Sequence, residues 1–262
     1  MSSSTTALVT GASSGIGAVY ARRLATRKHD LVLVARRADR LAALAAELTR
    51  DHGIAVRVVA ADLTAEADLT RVEKLLRTDK IDLLINNAGN GPIAATADLS
   101  DSDAATTLSL NVTAVMRLTR AALPGMRSRR HGIIVNIGSV MALHAMPATS
   151  LYSATKAFVL TYSRAIQQEV KDQNITVQAV LPAGTITDFY ETAGVPIAAF
   201  DQSAFMTAEQ LVDAALVGLD RGEEVTLPSV HDTALWQTYD MARAALFAGT
   251  QNGSPAPRYR AA

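Results

Sequence analysis

Apolar residues in this chain come in short unbroken runs, separated by longer stretches in which they recur at helical spacing. The runs are TALVTG (6–11), DLVLVA (30–35), AVRVVAAD (55–62), IDLLINN (81–87), GIIVNIG (132–138), ITVQAVLP (175–182) and EVTLP (224–228). They are rich in Val, Ile and Leu and do not alternate with polar residues, as a strand with one wet face would. The pattern predicts parallel strands buried on both faces. The stretch RLAALAAELTRDHG (40–53) shows the intervening type, with apolar positions on one helical face and Gly53 as its stop. Strand–helix alternation along the chain predicts an α/β fold: a Rossmann-type, doubly wound parallel sheet of about seven strands with helices on both faces and right-handed crossovers.

No linker rich in Pro, Gly or Ser divides the pattern, and no repeat is visible. The expected organisation is one domain over 1–248, with a substrate-loop segment near 188–206 and a C-terminal helix near 232–247 that carries the only tryptophan, Trp236. The breaker-rich stretch GTQNGSPAPRYRAA (249–262) reads as a flexible tail.

Composition narrows the function. Formal net charge is zero, so nothing in the charge balance points to nucleic acid or an anionic membrane. The chain has no cysteine, which excludes disulfides, thiolate metal sites and a Cys nucleophile. His29, His52, His131 and His231 show no metal-ligand spacing, and no metal is expected. No apolar segment reaches the ~18 residues of a membrane span, and the N-terminus lacks a signal-like basic and apolar region. The expectation is a soluble, cytoplasmic protein.

The first strand runs directly into TGASSGIG (10–17), which opens a helix. Gly11, Gly15 and Gly17 allow a sharp turn and close approach of a pyrophosphate, while the helix N-terminus offers free N–H groups and the positive end of its dipole. Ser13 and Ser14 add hydroxyl donors. The position that selects the nucleotide is the end of the second strand. There the sequence reads LVLVARR: Ala35 stands where an acid would bond a ribose hydroxyl, and Arg36 and Arg37 follow. A guanidinium fork suits a 2′-phosphate, so the loop favours NADP(H) over NAD(H), with Arg36 the better placed of the two. Asp62, at the end of the third strand, is placed either to bond an adenine amino group or to cap the next helix, a task Thr64 could also perform.

Tyr152 and Lys156 lie four residues apart in LYSATKA (151–157) and share a helix face. A free phenol titrates near ~10. A neighbouring ammonium lowers that value, and an oxidised nicotinamide would lower it further, giving a proton donor for a carbonyl oxygen or an acceptor from an alcohol. With TGASSGIG at 10–17, NNAG at 86–89, Asn111, Ser139 and Tyr152-Ser-Ala-Thr-Lys156 in this order, the chain resembles the short-chain dehydrogenase/reductase family over roughly its first 190 residues. The resemblance implies Ser139 as the group that polarises the substrate oxygen. It implies Asn111 as the holder of a water linking Lys156 to solvent. It also implies cofactor contacts from Ile16, Leu63, Ala88 and Gly89, and from the Asn86 backbone beside the adenosine ribose.

After the sixth strand the family pattern is Pro-Gly, three residues, then Thr. Here Pro182-Ala183-Gly184-Thr185-Ile186-Thr187 has its glycine displaced by one. Pro182, Gly184 and Thr185 are carried over as cofactor contacts, and Thr187 falls where the nicotinamide carboxamide would be bound. The following segment, DFYETAGVPIAAFDQSAF (188–205), is long and apolar-aromatic and is expected to close over substrate. Met141, Leu143, His144 and Met146 add to that pocket, with His144 either a substrate contact or an ordinary loop residue. The expected partner is an apolar or mixed small-molecule ketone or alcohol.

The resemblance further implies a homodimer or homotetramer; the helix of Trp236, near 232–247, is expected either to cover the substrate mouth or to alter subunit packing. The leading expectation is an NADP(H)-dependent carbonyl reductase or alcohol dehydrogenase. A 3-oxoacyl reductase acting on carrier- or CoA-bound chains is the same chemistry on another substrate. A non-catalytic NADP(H) sensor or scaffold is the alternative of a different class.

Overall fold

The computed structural model of the chain describes residues 5–193, 198 and 200–259. Its strands are β1 (Thr6–Thr10), β2 (Asp30–Ala35), β3 (Val56–Ala60), β4 (Leu83–Asn86), β5 (Gly132–Ile137), β6 (Ile175–Val180), β7 (Thr185–Ile186), β8 (Met206–Thr207) and β9 (Val225–Thr226). Its helices are α1 (Gly15–Thr26), α2 (Ala38–His52), α3 (Glu66–Thr78), α4 (Asp101–Leu108), α5 (Val115–Arg129), α6 (Ser150–Val170), α7 (Phe189–Thr192), α8 (Ala208–Asp220) and α9 (Thr233–Gly249). Among the described residues seven strands form one parallel sheet in the order β3-β2-β1-β4-β5-β6-β9. Each of the seven apolar runs became one of these strands.

The strand order reverses between β1 and β4, so their carboxyl ends diverge and leave a crevice. The two loops at that crevice are TGASSGIG and NNAG. Side chains alternate across the sheet. Ala7 and Val9 of β1 face a layer built on Leu24 of α1, Leu41 and Leu48 of α2, and Leu211 of α8. Leu8 faces the opposite layer, with Val72 of α3, Leu118 of α5 and Ile166 of α6. The interior strands are therefore covered on both faces, which is why β1, β2, β4 and β5 read as nearly continuous apolar runs, while the edge strand β3 carries exposed Arg57.

A polar seam crosses the second layer. Asn86 and Asn136 are register partners on β4 and β5. Asn86 Nδ2 donates to Asn136 Oδ1 (2.8 Å) and to Thr119 Oγ1 of α5 (3.0 Å), and Asn136 Nδ2 donates to Ser163 Oγ of α6 (2.9 Å). All four residues are buried. Each such bond contributes about 1 kcal/mol net, and losing one partner costs more because the other is left dry and unpaired. The seam fixes α6, the helix of Tyr152 and Lys156, against the sheet.

β7 and β8 pair in parallel, Thr185 with Met206 and Ile186 with Thr207. The sequence pattern did not predict these two short strands. They bring together the two ends of the aromatic segment 188–205. Residues 194–197 and 199 of that segment lie outside the described residues.

Chain contacts separate residues 1–228 from 229–262. In the second unit Asp232 caps α9 by accepting from Ala234 N (2.9 Å), and Trp236 stacks on Tyr239 with ring centroids 5.5 Å apart. No residue of α9 is buried; Leu235, Met241, Leu246 and Phe247 are all exposed.

Candidate active site

The glycine loop is shaped by contacts that no side chain could share. Gly11 and Gly15 have φ of +66° and +52°, the left-handed region that favours glycine. A Cβ built on Gly17 would lie 2.3 Å from the Gly11 carbonyl oxygen. Ser14 is the N-cap of α1 but makes no side-chain capping bond, so the first-turn N–H groups remain open to an anion. Asn87 braces the loop: its Nδ2 donates to Thr10 O (2.9 Å) and its N–H to Thr10 Oγ1 (2.9 Å). The motif reading did not single out Asn87. Strand alternation could have found it, since Asn86 points into the buried seam and its neighbour must point the other way.

The two arginines after β2 behave differently. Arg37 lies across the glycine loop, with Nη2 donating to Ser13 Oγ (3.0 Å) and Ser14 Oγ (2.6 Å). Arg36 is exposed and makes no ion pair among the described residues, which leaves its guanidinium available. Asp62 does not cap α3. Its Oδ1 accepts from both the N–H and the hydroxyl of Thr64 (2.9 and 2.7 Å), while Ala65 stands at the N-cap position. Neither of the two capping candidates holds the helix. Leu63 is buried in the core of the second layer, so only its backbone can reach a ligand. The same holds for Asn86, whose side chain is committed to the seam. Ala88 N donates to Thr10 Oγ1 (3.0 Å), and Ile16 packs against the first layer.

The displaced glycine after β6 has a simple resolution. Neither Ala183 nor Gly184 has a positive φ, so Ala183 fits where the family pattern has glycine. At Gly184 the constraint is mild: a Cβ on it would lie 3.1 Å from the Phe205 ring, a tight contact that a small shift of the ring relieves. Thr185 Oγ1 donates to Ala183 O (3.0 Å), and Pro182 O accepts from Val140 N (2.9 Å). Thr187 reaches the glycine loop, since a Cβ on Gly15 would lie 3.2 Å from Thr187 Cγ2. Motifs at opposite ends of the sequence thus meet. A cavity of about 710 Å³ runs along Ser13, Ser14, Gly15, Thr187 and Asp188 towards Arg40 of α2; none of the four acid–base candidates lines it.

Those four gather beneath NNAG. Asn111 lies in a π-helical turn, Ser109–Ala114, of the kind often found at functional positions. Its Oδ1 accepts from Asn90 N (3.0 Å), and its Nδ2 donates to Asn90 O (2.7 Å) and Thr155 Oγ1 (3.1 Å). Lys156 is buried and donates from Nζ to Ile137 O (3.0 Å); this Nζ lies 5.6 Å from the Tyr152 ring centroid. A Cβ on Gly89 would lie 3.1 Å from Asn111 Oδ1 and 3.6 Å from Lys156 Nζ. Glycine there keeps the space above both side chains open. Ser139, buried after β5, accepts from Met141 N (3.1 Å) and points its hydroxyl toward Pro182 O (3.5 Å), near enough to the Tyr152 phenol to act on its titration. Asn90 Oδ1 is buried without a partner among the described residues. His144 and Met146 are exposed, whereas Met141 and Leu143 are half-buried.

The electrostatics correct one expectation. Lys156 does not pull the phenol down in the protein alone. Burial pushes Tyr152 up to about 12, outweighing the Ser139 hydrogen bond that acts to lower it. Burial also brings Lys156 down to about 8. Desolvation disfavours both charged forms.

A family model described as short chain dehydrogenase matches residues 5–195. Among solved structures, a short-chain dehydrogenase from Sphingobium yanoikuyae in complex with NADPH is 46% identical with a TM-score of 0.95, covering 98% of this chain and 100% of that one. The bulky-bulky ketone specific alcohol dehydrogenase from Comamonas testosteroni is 41% identical with a TM-score of 0.90, covering 98% and 99%. Among curated proteins, 17-beta-hydroxysteroid dehydrogenase type 3 of Rattus norvegicus is 37% identical over 183 residues, which are 69% of this chain and 60% of that protein. The match to such relatives spans about three-fifths of their length.

Proposed function

The chain belongs to the short-chain dehydrogenase family, and on that premise we propose that this oxidoreductase uses NADP(H) to interconvert an apolar ketone and its secondary alcohol. The observation that carries the reading is the Tyr152 phenol, with the Ser139 hydroxyl close enough to act on its titration and buried Lys156 beside its ring. The residues present fit a dinucleotide. Gly17 packs backbone on backbone, α1 has an open N-terminus, Gly89 leaves room above Asn111 and Lys156, and Asn90 Oδ1 is an orphaned acceptor at the same place. Gly11, Ser13, Gly15 and the first-turn N–H groups would hold the pyrophosphate, and Thr187 the nicotinamide end. Arg36 would take the 2′-phosphate, supported by Ala35 in the acid's place and by the NADPH complex of the Sphingobium relative.

When bound, the cofactor supplies or accepts the hydride at the substrate carbon. Tyr152 handles the matching proton. A phenol held near 12 is protonated at neutral pH, so it is ready to donate to a carbonyl oxygen as that oxygen gains charge. Ser139 donates a hydrogen bond to the same oxygen and fixes its place. Lys156, brought down to about 8, is partly neutral near physiological pH and can return a proton to Tyr152. Asn111 holds the loop over Lys156 through Asn90. Running the reaction from alcohol to ketone requires the phenolate, which the positive charge of an oxidised nicotinamide favours.

An apolar substrate is supported by Phe189 beside Tyr152 and Tyr190 packed on Phe189, and by the bulky ketones named for the Comamonas relative. The test is steady-state oxidation of NADPH and NADH with a panel of bulky apolar ketones, for wild type and Tyr152→Phe. The expected result is a strong preference for NADPH, with turnover down by about 10²-fold or more in the variant while NADPH still binds. Equal use of NADH would overturn the Arg36 assignment. Wild-type turnover in Tyr152→Phe would overturn the acid–base assignment.

A further inference from the structure

Gly91 is buried two residues beyond NNAG. Its backbone is not in the left-handed region, so conformation does not demand glycine there. Space does. A Cβ on Gly91 would lie 2.6 Å from Tyr152 Cδ2, 2.8 Å from Tyr152 Cε2 and 2.7 Å from Phe189 Cζ. The loop after β4 is thus wedged against two rings at once. Those rings also meet each other, with centroids 5.7 Å apart and planes inclined at 50°.

Phe189 belongs to the segment whose ends β7 and β8 pin together. It packs edge-on against Tyr190 (5.5 Å, 83°), Tyr190 packs on Phe205 (5.3 Å), and Phe205 lies on Gly184. A continuous run of aromatic contacts therefore leads from the turn after β6, through the substrate segment, to the catalytic ring.

We propose that Phe189 and Gly91 are positioning residues for the acid–base phenol: Gly91 leaves the slot in which Phe189 seats on the Tyr152 ring, and that seating fixes the ring and keeps water from it. The inference rests on the reading of Tyr152 given above. The titratable and polar groups facing the phenol among the described residues are Lys156 on its own helix, Tyr190 on the segment and the Ser139 hydroxyl after β5. Lys156 and Ser139 do not touch residue 91 or 189, whereas Tyr190 packs on the Phe189 ring, which is why Phe189→Tyr, keeping that contact, is the control. What changes is burial, and burial is the largest influence holding this phenol above its ordinary range.

The experiment compares Phe189→Ala, Phe189→Tyr, Gly91→Ala and Tyr152→Phe by NADPH affinity, kcat, KM and the pH profile of kcat. In Phe189→Ala, water reaches the phenol. The limb of the profile that reports the phenol moves to lower pH by about one unit, and kcat falls about tenfold with NADPH affinity unchanged. Phe189→Tyr retains a ring in the slot and restores both. Gly91→Ala lowers kcat at least as far. Phe189 lies on a half-buried surface segment, so its variants remain informative if Gly91→Ala melts early. A Phe189→Ala enzyme with wild-type kcat and pH profile, changed only in KM, would make Phe189 a substrate contact and overturn the proposal. If Tyr152→Phe itself turns over normally, the acid–base reading falls instead. An inactive Tyr152→Phe beside a normal Phe189→Ala sinks the positioning role alone.

Discussion

On the cofactor side of the crevice, a missing side chain is matched by backbone: the Cβ that Gly17 lacks would meet the Gly11 carbonyl at 2.3 Å. On the substrate side, missing side chains are matched by rings: Gly91 meets Tyr152 and Phe189, and Gly184 meets Phe205. The first kind of contact cannot yield, because both partners are held by the sheet and by Asn87. The second yields where the ring can move: Phe205 can shift at modest cost, whereas at Gly91 two rings packed on each other leave less room. One half of the site is therefore a fixed mould for a ligand of constant shape. The other half is a wall of packed rings, adjustable at Phe205.

The sharpest way to break this comparison is Gly17→Ala. The added methyl has nowhere to go, and relief requires the turn at Gly11 to open. NADPH affinity is expected to fall by two orders of magnitude or more, about 3 kcal/mol, with a lowered melting temperature. Fluorescence titration with NADPH checks it. Affinity within a few-fold of wild type would mean that the loop is not the rigid mould described.

Lys156 stands between the two sides, and its burial sets up the second test. Its folded-state value, about 8, lies below the ordinary 10.5. Between those values the unfolded chain holds the proton more tightly than the folded one. Stability is therefore lost as pH falls through this window, and the full penalty persists below it. Lys156→Met removes the penalty but also the bond to Ile137 O. The cofactor-free variant is expected to be more stable at about pH 7 by on the order of 2 kcal/mol, with the gain shrinking by about pH 10, while turnover is lost. Urea denaturation at both pH values measures it; a difference independent of pH would refute the buried-ammonium account.

The same contrast explains what the sequence disclosed. The sheet strands were legible because the interior strands are covered on both faces, so most of the seven read as nearly continuous apolar runs. The glycine loop was legible because its backbone contacts lie within a few residues of one another, so the requirement collapses into TGASSGIG. Tyr152 and Lys156 were legible as a pair through helical spacing. The sign of the phenol's shift was not, because desolvation depends on what covers the ring, and Phe189 comes from far along the chain. Gly91, Phe189 and the β7–β8 pair left no periodic signal. Asn87 was hidden by standing next to an identical residue with a different task.

Gly184→Ala probes the comparison from its gentle end. The new methyl would meet the Phe205 ring at 3.1 Å, a contact that a shift of a few tenths of an ångström relieves. Phe205 is free to make that shift because its ring neighbours, Tyr190 and Phe200, are themselves side chains on the same segment. The backbone at Gly184 needs no left-handed conformation, so alanine adds no dihedral strain. Stability is expected to drop by about 1 kcal/mol or less, NADPH affinity to stay near that of wild type, and KM to change more than kcat as the aromatic wall resettles. Thermal melts and kinetics on the same ketone panel would measure all three. A loss of cofactor binding as deep as that of Gly17→Ala would show that the wall after β6 is as rigid as the glycine loop, and the distinction between a fixed mould and an adjustable wall would fail.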